Sequence, residues 1–170
     1  MGLARMADPP PLYSQLAEGG ICAGIMCDAR LVDLVRSVVK PEDFHIDCWR
    51  LVYSAVLRTA PPVSVPTVCY QMALDGTIDK VERKGVSGEA LIVSNICRHA
   101  DWNPMAFTEG GAAANAHIVA DYARRRSMLT EAQKLARAAH QPEKRAQRPY
   151  SGLSGGSVWR GEGFEMPGEK

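Results

Sequence analysis

Histidines, cysteines and a basic run are the groups in this 170-residue chain whose types and spacing could do chemistry. His45-Ile46-Asp47 and His99-Ala100-Asp101 each place an imidazole two residues from a carboxylate, and His117 with Asp121 has the i, i+4 spacing of one helix face. An imidazole oriented by a carboxylate is the unit of acid–base catalysis and of a metal ligand. A metal, however, needs three or four convergent ligands. These pairs, like the remaining His140, are isolated along the chain, so capping and surface hydrogen bonds are expected of them. Cys22, Cys27, Cys48, Cys69 and Cys97 are odd in number, lie among apolar residues and form no CxxC. Reduced, buried thiols are the expectation, rather than disulfides or zinc ligands. Cys48 or Cys97 could act as a nucleophile only beside an oriented base.

Phosphate chemistry finds little support. The chain has no Gly-Lys dipeptide, which excludes a Walker A loop, and no GxGxxG. Basic residues concentrate late, where Arg124-Arg125-Arg126, Lys134, Arg137, Lys144, Arg145 and Arg148 outnumber Asp121, Glu131 and Glu143. Three successive arginines splay round a helix and cannot all face one groove. Arg124, Arg126, Lys134 and Arg137 stand as candidates for weak phosphate contact. The net charge of +1 supplies no global field to recruit nucleic acid or membrane. No catalytic site, cofactor or metal is expected.

The elements that must carry these residues are helical. Aromatic residues make up only 6% of the chain while alanine, leucine, valine and arginine abound, which predicts an all-α fold. The apolar stretch 12–26 reads as a first helix. Asp28 reads as the cap of a second, in which Leu31, Leu34, Val35 and Val38 form a stripe that Pro41 ends. Asp47 reads as the cap of a third, with Trp49, Val52, Tyr53 and Val56 on one face. A fourth is bracketed by Ser64 with Pro66 at its start and Gly76 at its end, turning Val68, Cys69 and Met72 inward. Residues 80–88 read as loop, Ser87 as the cap of a short helix carrying Leu91, Ile92 and Ile96, and 99–111 as loop again.

The last element is the longest. Residues 112–139 contain neither Pro nor Gly. Ile118, Tyr122, Arg125, Leu129, Ala132, Ala136 and Ala139 repeat at 4-3-4-3-4-3, a heptad-type seam, with Val119, Ala123, Met128 and Leu135 as a second row. One row can pack on its own domain and the other on a second helix, or both can share a single core. Residues 1–11 read as an extended arm, 12–141 as the helical domain and 142–170 as a flexible Gly/Ser/Pro-rich tail, in which Trp159 and Phe164, flanked by Arg160 and Glu162, read as incidental aromatics, with a short docking motif as the alternative. No signal-type h-region or membrane-length apolar run is present, so a cytoplasmic protein without membrane contact is expected.

The order of these segments resembles the N-terminal domain of the DnaB family of bacterial replicative helicases over about residues 11–139. Pro11, Ala17-Glu18, Ile21-Cys22-Ala23-Gly24-Ile25-Met26 and Asp28 resemble its opening. Val38-Val39-Lys40-Pro41-Glu42-Asp43-Phe44 resembles its L-x-PEDF segment, the most specific match. Trp49-Arg50-Leu51-Val52-Tyr53, Val63 to Val68 and Leu74 to Asp79 follow in order, as do Asn115, Ile118-Val119, Ala123, Arg126, Leu129 and Ala132. Departures fall at Gly88-Glu89-Ala90-Leu91 and at 103–114, and the RecA-type motor is missing. The resemblance implies a small orthogonal helical bundle followed by a long helix or helical hairpin. It further implies a non-catalytic interaction domain of DNA replication, of a kind a phage or mobile element could encode alone. Its partners would be itself, as a dimer or larger oligomer, and a replicative helicase or primase. Ile118, Tyr122, Arg125, Leu129, Ala132 and Ala136 are the expected interface. A nucleic-acid-binding accessory protein using the basic end of the long helix is the alternative.

Overall fold

A computed structural model describes residues 11–82 and 85–140. The expected arm and tail therefore lie almost wholly outside the described residues. Six α-helices occur among those described: α1 (Gln15–Cys27), α2 (Leu31–Arg36), α3 (Asp47–Arg58), α4 (Val65–Leu74), α5 (Gly88–Trp102) and α6 (Glu109–His140). Three short 3-10 turns, Pro41–Asp43, Ile78–Lys80 and Pro104–Phe107, join them, and there is no β-strand among the described residues. The expected all-α class is what the chain adopts. A hairpin return after α6 would fall beyond His140, outside the described residues. By contacts the chain divides into two units, residues 1–133 and 134–170, and the helical bundle belongs to the first.

Helix α1 is the centre of the bundle. Ten consecutive residues, Ala17 to Met26, are buried, so α1 has no polar face and must be wrapped on all sides. Helices α2, α3 and α5 and the turn Pro104–Phe107 do the wrapping. Close approach is possible because α1 is rich in glycine. A Cβ on Gly19 would stand 2.3 Å from His99 Nε2, and one on Gly24 would stand 2.4 Å from the Ala106 carbonyl oxygen. The glycine pair that weakens α1 as an isolated helix is what lets α5 and the succeeding turn pack against it. Ile21, Ile25, Leu31, Val35, Phe44, Val52, Tyr53, Met72, Ile92 and Val119 fill the core. Phe44 stacks on Tyr53 with ring centroids 4.9 Å apart, and the Tyr53 hydroxyl donates to the Val39 carbonyl at 3.2 Å.

Several local signals are read correctly. The Ser64 hydroxyl accepts from Thr67 N–H and Ser64 N–H donates to Thr67 Oγ1 (2.9 Å), a reciprocal cap with Pro66 in the first turn. Gly76 closes α4 with φ of 62°, a left-handed conformation that costs glycine nothing. The Trp49, Val52, Tyr53 and Val56 face is buried, and Ser87 caps α5.

Others need correction. Asp28 ends α1 instead of starting α2: its N–H donates to the Gly24 carbonyl, and its carboxylate is taken by the N–H and guanidinium of Arg30. Helix α2 stops at Arg36, well before Pro41, because the N–H groups of Val38 and Val39 turn back to the Val35 carbonyl. Asp47 lies inside α3 and pairs with Arg50 at 2.7 Å. Helix α5 continues through residues read as loop, since His99 is packed against Gly19, and Pro104–Phe107 is a 3-10 turn. Helix α6 begins at Glu109, upstream of the glycine pair. The Thr108 hydroxyl accepts from Gly111 N–H at 3.1 Å, and a Cβ on Gly111 would lie 1.8 Å from the Met105 carbonyl oxygen. Burial of all the thiols also fails, because Cys27 and Cys97 are exposed and Cys48 is half-buried.

Candidate functional site

Helix α6 buries only its first three turns, through Ala112, Asn115, Ala116 and Val119. The seam expected to form an interface lies mostly outside the core. Ile118 is 42% exposed and Leu129 49%, and Met128 and Leu135 of the second row reach 66% and 70%. The second row is thus divided: Val119 belongs to the core and Ala123 is half-buried, whereas Met128 and Leu135 face outward. A single core containing both rows is not what forms.

The one arginine in the seam is neutralised locally. Arg125 pairs with Asp121 one turn back at 2.7 Å, and its guanidinium carbon lies 5.9 Å from the centre of the half-buried Tyr122 ring. This pairing takes Asp121 away from the expected His117 coincidence. An arginine whose charge is matched on its own helix can lie at an apolar seam without an unpaired charge to bury. Ala132 and Ala136 are exposed, and the Ala136 carbonyl is 2.8 Å from His140 Nδ1.

The basic candidates separate. Arg124, Lys134 and Arg137 are exposed. Arg126 turns inward: its Nη1 donates to the Leu12 carbonyl at 2.6 Å and its Nη2 to the Asp43 carbonyl. Its fork of donors ties three remote parts of the chain together.

The histidine and cysteine pairs do not assemble. His45 stacks on Tyr13 with centroids 4.7 Å apart, and His117 is exposed. His99 is 5% exposed, sits edge-on to Trp49, and its Nδ1 is buried without a hydrogen-bond partner among the described residues. Burial, helped by the charge of Arg98, holds its pKa below the ordinary 6.5. Burial also pushes the thiols of Cys22 and Cys69 up, which keeps them protonated and poorly nucleophilic at neutral pH. No group of three or more His, Cys, Asp or Glu that could hold a metal exists among the described residues, nor any helix long and apolar enough to cross a membrane.

His99 makes stability pH-dependent in a definite direction. The folded state resists protonating it, so below about 6.5 the unfolded chain binds more protons and stability falls with pH; above that value the contribution is complete. His99→Gln should flatten the unfolding free energy between about pH 5 and 7, read by urea titration. An unchanged slope would mean that His99 accepts its proton in the folded state.

Sequence reasoning missed Glu18. It is a carboxylate only 1% exposed in the middle of α1, and it accepts from the N–H groups of His45 (3.1 Å) and Ile46 (2.9 Å). It thereby anchors from another helix the two residues that lead into α3, whose N-cap, Ile46, makes no side-chain capping bond. Glu18, the one charged residue in the otherwise largely apolar stretch 12–26, is the visible hint.

Neither a family model nor a curated protein matches this sequence. Among solved structures, the chain is similar to the N-terminal domain of DnaB helicase from Mycobacterium tuberculosis, with a TM-score of 0.65 and 20% identity, covering 78% of this chain and 89% of that one. The chain has the fold of that helicase N-terminal domain.

Proposed function

We propose that this chain is a non-catalytic protein-interaction module of DNA replication, which associates with itself and with a replicative helicase or primase through α6. The observation that carries the reading is the seam of α6. Ile118, Tyr122, Leu129 and Ala132 keep coiled-coil spacing on a helix whose other side is already packed at Ala112, Ala116 and Val119. Such a seam gains by meeting a second helix, and a fold shared with a helicase N-terminal domain makes replication proteins the natural partners. Unwinding activity would have to come from a separate motor.

Light-scattering mass after gel filtration tests this, with the protein alone and mixed with its host's replicative helicase or primase. A dimer or larger species, or co-elution with either partner, is expected. Leu129→Asp should weaken self-association at least a hundredfold, about 3 kcal/mol, because the carboxylate would be buried in the seam. Its circular dichroism and melting should match the parent, since Leu129 is half exposed in the single chain. A strict monomer that ignores both partners would overturn the reading, as would loss of helical signal in the variant.

A second reading, weak phosphate contact, draws on the exposure of Arg124, Lys134 and Arg137. It requires DNA binding that falls steeply with salt. Arg126 is already committed to backbone carbonyls and contributes little to it.

A further inference from the structure

A cleft unrelated to the α6 seam lies where α1, α3 and α5 meet. It encloses about 300 Å³ between Leu16, Trp49, Asn95, Arg98, His99 and Trp102. A second hollow adjoins it, sharing Trp49, Asn95 and Arg98 and running past Tyr13, His45 and Asp47. Two features set it apart from ordinary surface. Trp102 is 80% exposed and Leu16 51%, so large apolar side chains that would normally be covered stand open at the rim. Behind them His99 forms the inner wall, only 5% exposed, with Nδ1 lacking a partner among the described residues. A buried nitrogen in that condition lacks the hydrogen bond it would have in water.

Charge says what kind of occupant fits. Asp47, the one carboxylate along the two hollows, is already engaged by Arg50 at 2.7 Å. Arg98 forms no ion pair among the described residues. An apolar trough with a free guanidinium on its edge complements a segment carrying an aromatic side chain beside carboxylates. The guanidinium pairs with carboxylate, and exposed tryptophan gains by ring stacking.

We propose that this cleft binds an acidic linear segment of a partner protein, with one aromatic side chain seated between Trp49 and Trp102 and a flanking carboxylate on Arg98. The site is separate from the α6 seam, so a partner can hold this cleft while the seam is engaged.

The test uses the full chain and a fluorescein-labelled peptide, Ser-Glu-Ser-Phe-Glu-Ser, read by fluorescence polarisation at low salt. The expected result is saturable binding that weakens about tenfold in Arg98→Glu and in Trp102→Ala, and that weakens similarly when Lys replaces both Glu in the peptide or Ala replaces its Phe. Both protein changes are on exposed side chains, so circular dichroism should be unaltered and the α6 variant Leu129→Asp should bind normally. No binding up to millimolar peptide, or binding indifferent to Arg98 and Trp102, would overturn the proposal. If Trp102→Ala instead lowers the mass of the protein in light scattering, a second copy occupies the cleft and the proposal fails.

Discussion

Gly111→Ala is expected to destabilise the fold by about 3 kcal/mol or more, whereas Gly110→Ala, one residue away, should stabilise it by up to about 1 kcal/mol. Both glycines lie in the first turn of α6, and their helix propensities are the same. What differs is the neighbour. A methyl group on Gly111 would meet the Met105 carbonyl oxygen at 1.8 Å and its carbon at 2.5 Å, both backbone atoms that cannot swing away. On Gly110 it would meet nothing within 4 Å, and alanine there only removes glycine's surplus freedom in the unfolded chain. Urea denaturation of the two variants beside the parent distinguishes them. Equal midpoints for the two variants would mean that the Pro104–Phe107 turn does not press on α6.

Glu18→Ala should cost about 3–4 kcal/mol, the second large effect. The carboxylate accepts two backbone N–H groups at the entrance to α3, and a charged acceptor makes each bond stronger than a neutral one. Truncation leaves both donors partly buried with no acceptor, and leaves a hole in α1 where the side chain was. Glu18→Gln separates the contributions. Its single carbonyl oxygen can serve one N–H and its amide nitrogen opposes the other, so roughly half the loss should remain. A loss below about 1 kcal/mol for Glu18→Ala would show that water replaces the cap.

These two positions also mark the boundary of what the sequence makes legible. The Ser64, Pro66 and Gly76 signals of α4 are local: each acts within its own turn, so spacing alone reveals them. The amphipathic face of α3 and the two rows of α6 are periodic, and periodicity survives whatever the tertiary partner is. Glu18 works across 27 and 28 residues of sequence, and no local pattern distinguishes it from a misplaced surface carboxylate. Gly110-Gly111 reads as a break because glycine ordinarily weakens helices, yet Gly111 is needed for a close approach that only the assembled bundle creates. The cleft is hidden for the same reason. Leu16, Trp49 and Trp102 belong to three different helices, and His99 lies in a stretch whose polarity suggests loop.

The paired hydrogen bonds of Arg126 have a consequence in chain statistics. They close loops of 114 and 83 residues, to Leu12 and to Asp43. The entropy of closure grows only with the logarithm of loop length, so each doubling adds roughly 0.6 kcal/mol, and neither loop is prohibitive. Because one rigid guanidinium makes both closures, its own side-chain ordering is incurred once and serves twice. Once α6 has found the turn at Asp43, Leu12 is held with little further loss of side-chain freedom. Leu12, the turn at Asp43 before α3 and the middle of the long helix are therefore tied through one side chain, although the sequence scatters them across its length.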